Sequence, residues 1–96
     1  MTLVELTKPE VKLKLLYDLD LIRSALIAEL DATSLYESHI ENLNNEDAKK
    51  VIYHILNEEK EHIAELQCLI MKLDKTQEEK MTEVNPSTCI AGGFQE

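Results

Sequence analysis

The sequence predicts an all-α fold in which two long helices form an antiparallel hairpin, a short third helix follows, and two chains pair into a four-helix bundle. The 96 residues include only two Gly and two Pro, too few for the turns of an all-β fold. No Gly or Pro lies between Pro9 and Pro86. Apolar residues in this interval recur at alternating spacings of four and three, which is typical of helices that pack on a partner helix.

The first helix is predicted over about residues 8–42. Thr7 offers a capping hydroxyl, Glu10 follows three residues later, and Pro9 lies in the first turn, where its missing N–H costs no hydrogen bond. The positions that face a partner form a narrow stripe, which we call the seam of the helix. It comprises Leu15, Leu19, Ile22, Leu26, Glu29, Thr33, Tyr36, Ile40 and Leu43.

The second helix is predicted over about residues 46–73, after a tight turn in the sequence NLNNED at positions 42–47. Asn is typical of turns and helix N-caps, and Glu46 and Asp47 suit a first helical turn. The seam of this helix comprises Ala48, Ile52, Ile55, Glu59, His62, Leu66, Leu69 and Leu73.

The chain beyond Asp74 divides into two parts. The polar run KTQEEKMTEV predicts a short third helix with weak packing. Pro86, Gly92 and Gly93 then mark a tail that we expect to be mobile. The predicted organisation is a helical hairpin domain at residues 1–84 and a flexible tail at residues 85–96.

The two helices have more apolar surface than they can cover for each other. Leu56, Ile63 and Ile70 widen the seam of the second helix, and a separate apolar line runs along the first. A chain this short buries only about 60% of its unfolded surface. Two cysteines without CxxC spacing do not form a disulfide framework, so a metal or a partner chain is needed for further stability. We therefore expect a homo-oligomer, most simply two hairpins in one bundle.

The charge balance argues against nucleic acid as a partner and is compatible with a cation. Ten Lys and Arg against 19 Asp and Glu give a net charge of −9, whereas binding to a nucleic-acid backbone needs clustered basic residues. Composition alone favours the simpler interpretation that the acidic residues solvate the surface of an oligomer. No apolar run reaches the roughly 18 residues of a membrane span, and the N-terminus lacks a signal pattern. We expect a soluble, cytoplasmic protein without a membrane partner.

Three polar residues interrupt the two seams at one level. Glu29 lies midway along the first seam, and Glu59 and His62 lie one turn apart near the middle of the second. A carboxylate in an apolar seam costs on the order of several kcal/mol unless it is paired or bound to a metal. A Glu from one helix plus Glu-x-x-His from another is the ligand set of di-iron carboxylate bundles. The alternative is a buried, hydrogen-bonded structural pair of Glu59 and His62.

The number of these residues predicts that the chain carries half of a di-iron site. A complete site needs four carboxylates and two imidazoles from four helices. The three residues above supply two Glu and one His from two helices. Two chains related by a two-fold axis would supply the full set, with the metals bridging the interface.

The stretch at residues 27–73 resembles the encapsulated ferritin family, which are half-length ferritin-like proteins carried inside encapsulin shells. The matching segments are AELDA at positions 28–32, with Tyr36 seven residues after Glu29, and NEEKEH at positions 57–62. The EEKEH string with an upstream Glu and Tyr at this spacing is moderately specific, whereas Glu-x-x-His alone is weak. Leu35 stands where the family often has Trp.

The resemblance implies a ferritin-like four-helix bundle and ferroxidase activity, the oxidation of Fe(II) to Fe(III) with O2 as acceptor. Glu29, Glu59 and His62 would bind a di-iron centre shared between two chains, with Glu59 bridging the two irons. Tyr36 would lie beside these ligands as a further catalytic residue. An acidic site through which iron enters would lie near Asp31.

The resemblance also implies an assembly and a partner. The assembly would be a metal-bridged dimer and a homodecameric ring of five dimers. The partner would be an encapsulin shell protein, so that iron is stored inside an encapsulin nanocompartment in the cytoplasm. The tail sequence TCIAGGF at positions 88–94 is short, apolar and contains Gly, as a shell-targeting peptide would be, but it lacks the Gly-Ser-Leu cargo motif. The chain could also be part of a longer fusion.

The other polar residues near the seams are predicted to have structural positions in the core or on the surface. Tyr36 suits a core position with its hydroxyl satisfied locally, whether or not it influences a metal. His39 and His54 are predicted to be surface histidines. The residues Glu58, Glu61 and Glu65 lie off the seam and are predicted to form a charged flank.

Two other functions compete with the ferroxidase hypothesis. A rubrerythrin-like di-iron peroxidase would use the same ligands, although the chain has no Cys-rich rubredoxin segment. A helical adaptor without catalysis would need no metal, so metal analysis of the purified protein distinguishes it.

Overall fold

The computed structural model describes residues 8–84, which form three α-helices and no strand. Helix α1 is Pro9–Asn42, α2 is Glu46–Leu73 and α3 is Lys75–Glu83. Helices α1 and α2 are joined by three residues and pack side by side as an antiparallel hairpin, and α3 packs on α2. The predicted all-α fold is confirmed. The predicted tail at residues 85–96 lies outside the described residues.

The N-cap of helix α1 lies one residue later than predicted. Thr7 lies outside the described residues, and the N-cap is Lys8, which makes no capping hydrogen bond through its side chain. Pro9 disfavours helical geometry in the residue before it, so Lys8 is extended with φ −67° and ψ 135°. The Lys8 carbonyl accepts hydrogen bonds from the amides of Val11 at 3.1 Å and Lys12 at 3.0 Å. The proline therefore determines where the helix starts.

The turn between α1 and α2 uses the asparagines that the sequence indicates. The side chain of Asn45 accepts a hydrogen bond from the amide of Ala48 at 2.9 Å and caps α2. The first turn of α2 contains Glu46 and Asp47, whose charges favour a helix N-terminus. This local chemistry sets the register of the hairpin.

Asp74 joins α3 to both long helices. One of its carboxylate oxygens, Oδ1, accepts a hydrogen bond from the amide of Gln77 at 3.2 Å and caps α3. The other, Oδ2, accepts from Nη2 of Arg23 on α1 at 2.9 Å. This ion pair connects residues 51 positions apart. It fixes the start of α3 against the hairpin.

The hairpin has a thin core and much uncovered apolar surface. Among the described residues, only Leu19, Leu56 and Ile70 are buried apolar side chains. Most seam residues are half-buried, and many large apolar side chains, all but Leu69 off the seams, are exposed. The exposed set is Leu13, Leu16, Tyr17, Leu21, Ile27, Leu30, Leu35, Val51, Tyr53, Leu69, Met81 and Val84.

None of the helices within residues 8–84 combines the length and the apolar character needed to cross a membrane.

Candidate metal centre

Three side chains from two helices converge in the middle of the hairpin. Glu29 comes from α1, and Glu59 and His62 come from α2. His62 Nδ1 lies 3.6 Å from Glu29 Oε1 and 3.7 Å from Glu59 Oε2. One donor atom from each residue lies within 4.8 Å of the other two. The three residues that interrupt the seams therefore form one cluster of donor atoms.

Regular helix geometry places these groups together. Glu59 and His62 are one turn apart on α2, so they share a face. Buried Leu56, one turn before Glu59, packs that face of α2 against α1. On α1, the Thr33 hydroxyl donates a hydrogen bond to the backbone carbonyl of Glu29 at 2.8 Å, so this hydroxyl is bonded within its own helix. Within residues 8–84, no loop contributes a donor atom to the cluster, so the positions of the donors follow from the packing of two helices.

The cluster is partly withdrawn from water and has an excess of negative charge. The side chain of Glu59 is 17% exposed, that of Glu29 is 26% and that of His62 is 45%. Within residues 8–84, neither carboxylate pairs with a lysine or arginine, and each has His62 as its ionic partner. Two half-buried carboxylates thus share one imidazole. A bound cation would supply the missing positive charge.

The donor set fits a divalent transition-metal ion. Ligand bonds of about 2.0–2.2 Å place neighbouring donor atoms about 3.0–3.5 Å apart around one ion. The separations of 3.6 and 3.7 Å from His62 Nδ1 are close to this range, so small side-chain rotations would bring both carboxylates to one ion. Carboxylate and imidazole together suit iron, and three protein ligands leave coordination positions open.

The cluster opens into a shallow cavity on the surface of the hairpin. The cavity has a volume of about 430 Å³ and is open to solvent. Its walls are formed by Ala25, Glu29, His62, Glu65, Leu66 and Leu69. The predicted assignment of Glu65 to a charged flank is therefore incomplete, since this carboxylate forms part of the cavity wall. The signal in the sequence was its position three residues after His62.

The other residues singled out in the sequence lie outside the cluster. The half-buried Tyr36 ring packs edge-on against His39, with centroids 6.1 Å apart, and its hydroxyl has no hydrogen-bond partner among residues 8–84. Asp31 is exposed and is not part of the group of donor atoms. His54 is exposed and its Nε2 lies 2.7 Å from Glu58 Oε1. The roles proposed for Tyr36 and Asp31 stay predictions.

Comparison with known proteins assigns the family. The model of the rubrerythrin family matches residues 20–92, most of the chain and the whole cluster.

The chain belongs to the rubrerythrin family.

Two curated relatives of this rubrerythrin-family chain are named for encapsulins. A ferritin-like-encapsulin shell fusion protein of Pyrococcus furiosus is 36% identical over 95 residues, which is 99% of this chain and 24% of that protein. An encapsulin nanocompartment cargo protein of Myxococcus xanthus is 48% identical over 56 residues, which is 58% of this chain and 43% of that protein. The chain thus spans less than half the length of either relative. The resemblance to encapsulated ferritin-like proteins is confirmed. No solved structure matches the chain significantly.

Proposed function

We propose that this chain is a ferroxidase that oxidises Fe(II) to Fe(III) with O2 at a two-iron site formed between two copies, and that it supplies iron to a store inside an encapsulin shell. The observation that supports this most strongly is the cluster of Glu29, Glu59 and His62. Their donor atoms lie within 4.8 Å of one another, come from two helices and have no lysine or arginine partner within residues 8–84.

The surface around the cluster suits a second copy. His62 is 45% exposed although it lies in the middle of the hairpin. Val51 and Leu69 lie eleven residues before and seven residues after it, so they share its face of α2, and both are exposed. A two-fold axis through this face would cover both apolar side chains. It would also bring a second set of two carboxylates and one imidazole to the cavity, which makes the ligand number of a di-iron bundle.

The charge of the paired site suits iron as a substrate. Four carboxylates from two copies carry a charge of −4, which balances two Fe(II) ions. Two Fe(III) ions would exceed that charge by two, and hydroxide or oxide derived from water would balance the excess. In each cycle two Fe(II) ions lose one electron each, and O2 with two protons is reduced to hydrogen peroxide.

The residues of the chain have separate tasks in this proposal. Glu59 is the least exposed of the three side chains and would bridge two irons. Glu29 from α1 and His62 from α2 would each hold one iron.

A direct test is anaerobic loading with Fe(II) followed by exposure to O2. We expect Fe(III) to form rapidly in the native protein and only at the rate of free iron in the triple variant Glu29→Ala, Glu59→Ala, His62→Ala. His54→Ala is the matched control, because this exposed histidine on the same helix pairs only with Glu58. Equal rates in the triple variant and the native protein would overturn the proposal.

The encapsulin part of the proposal rests on the two relatives and has its own test. Both are named for an encapsulin shell or its cargo. We propose that this chain forms a homodecameric ring of dimers inside an encapsulin nanocompartment in the cytoplasm, and that residues 85–96 bind the shell. Co-expression with an encapsulin should load the full chain and not the chain that ends at residue 84. Equal loading would remove the tail from the proposal.

A second candidate function is favoured by the family match. Rubrerythrin is the family whose model covers the cluster, and the same donors would serve a di-iron peroxidase that reduces hydrogen peroxide. Mixing the Fe(II)-loaded protein with either oxidant distinguishes the two functions. A ferroxidase turns over Fe(II) with O2 alone, whereas a peroxidase oxidises the bound iron much faster with hydrogen peroxide.

A further inference from the structure

Glu65 lies in the wall of the cavity beside the cluster, although it is not one of the three residues of the cluster. The cavity is bounded by Glu29 and His62 from the cluster, by Glu65, and by Ala25, Leu66 and Leu69. Apart from the two cluster residues, Glu65 is the only charged side chain in that wall within the described chain. An ion at the cluster would therefore share this cavity with a third carboxylate.

Helix geometry continues the ligand row to Glu65. Glu59, His62 and Glu65 follow one another at spacings of three, so each lies roughly 4.5 Å further along α2 than the one before. Residues three apart are neighbours on a helix surface. The Glu-x-x-His motif is thus extended to Glu-x-x-His-x-x-Glu, with the imidazole between two carboxylates.

Within residues 8–84, no lysine or arginine forms an ion pair with the Glu65 carboxylate. Among residues 8–84, Glu65 makes no ion pair, in contrast to Glu58, which pairs with His54. The helix positions three and four residues away on either side are Glu61, His62, Cys68 and Leu69, none of which is a lysine or arginine. Its charge is therefore available to a cation in the cavity.

We propose that Glu65 is a positioning residue of the metal site. It attracts a hydrated divalent cation into the cavity and accepts hydrogen bonds from the water molecules that the ion retains, while Glu29, Glu59 and His62 remain the ligands. A carboxylate in this position raises the affinity for a divalent ion without adding a coordination bond. This inference rests on the proposed function, because it needs a cation at the cluster.

The test compares Glu65→Gln with Glu61→Gln. Glu61 lies one turn earlier on α2, is exposed and is not part of the cavity wall. Both variants remove one negative charge from the same helix. Co(II) serves as the probe under anaerobic conditions, with the absorption of the bound ion and calorimetry reporting affinity and stoichiometry. Fe(II) oxidation kinetics report KM and kcat separately.

We expect Glu65→Gln to weaken Co(II) binding and raise KM for Fe(II) by about threefold to tenfold, the effect of one charge that acts through solvent on a divalent ion. The number of ions per chain, kcat and the unfolding temperature without metal should not change. Glu65→Asp should restore part of the affinity, and higher ionic strength should reduce the difference between Glu65→Gln and Glu61→Gln.

Three results would overturn the inference. Equal affinities in Glu65→Gln and Glu61→Gln would show that the cavity position has no special effect. Loss of an ion per chain in Glu65→Gln would make Glu65 a ligand instead. If the native protein binds no Co(II), the proposed function fails together with this inference, whereas in the first two results the proposed function survives.

Discussion

At the scale of single residues, the molecule places two carboxylates and one imidazole where a hairpin of this kind would otherwise hold apolar side chains. Glu29 and Glu59 are mostly shielded from water and share His62 as their ionic partner within residues 8–84. Two carboxylates held this close, without a lysine or arginine partner within residues 8–84, destabilise the folded hairpin. A cation would relieve this repulsion, so metal binding and folding stability are coupled.

This coupling predicts opposite effects of Glu59→Gln with and without metal. Without metal, the variant should be more stable than the native protein by about 1 kcal/mol, because a neutral amide removes the repulsion between two carboxylates. With Co(II), the native protein should gain stability and the variant should gain little. Thermal unfolding with and without Co(II) measures both effects, and Glu61→Gln is the control. A metal-free Glu59→Gln protein that is less stable than the native one would contradict the account.

Each ligand should also be needed for rapid oxidation of iron. Loss of His62, Glu29 or Glu59 by substitution with Ala removes a donor from both halves of the paired site, so the initial rate of Fe(II) oxidation should fall by at least about 100-fold. His39→Ala should keep nearly the native rate, since His39 is exposed and outside the cluster. Stopped-flow absorbance of Fe(III) is the measurement. A native rate in His62→Ala would show that the cluster is not the site of oxidation.

The sequence predicted the composition of the cluster because helical spacing is regular. Glu59 and His62 are one turn apart, so they must share a face of α2. Glu29 must lie opposite them on α1, because the helix lengths and the short turn set which residues of the two helices face each other. The position of Glu65 in the cavity wall could not be predicted from the sequence. A helical projection shows that Glu65 lies off the seam, but it does not show how widely the cavity opens. The surroundings of Tyr36 depend on rotamers, which spacing does not determine.

At the scale of the elements, the two long helices are specified locally and the third depends on a distant contact. Asn45 caps α2 and Pro9 starts α1, both within a few residues of the feature they determine. Asp74 combines a local role, the cap of α3, with an ion pair to Arg23 on α1. The sequence predicted a third helix with weak packing, but it could not indicate a contact between residues 51 positions apart.

The double role of Asp74 predicts an order of stabilities. Asp74→Ala should lower the free energy of unfolding most, by about 1–2 kcal/mol, because it removes a helix cap and an ion pair. Arg23→Ala keeps the cap but loses the ion pairs with Asp74 and with the exposed Asp20, and should cost about 0.5 kcal/mol. Asp20→Ala is the control: Asp20 lies 3.5 Å from Arg23 but is 76% exposed, so its loss should have almost no effect. Denaturant titration gives all three values. A cost for Asp74→Ala no larger than that for Asp20→Ala would contradict the assignment.

At the scale of the whole molecule, the hairpin is incomplete in two respects. Its apolar surface is poorly covered, with three buried apolar side chains against twelve large exposed ones among the described residues. Its ligand set has half the donors of a di-iron centre. Composition and periodicity predicted both deficits. The sequence does not predict how two chains would pack against each other, because the hydrophobic effect is non-directional and does not determine one way of packing.

The measurement that tests the two-copy iron site most directly is native mass spectrometry of the protein loaded anaerobically with Fe(II). The account predicts assemblies with an even number of chains and two irons for every two chains, and predicts that the triple variant without Glu29, Glu59 and His62 retains no iron. It also predicts that removal of iron shifts the native protein towards smaller species, because two sets of carboxylates then repel across the interface. Single chains that each hold an iron, or even-numbered assemblies without iron, would contradict it.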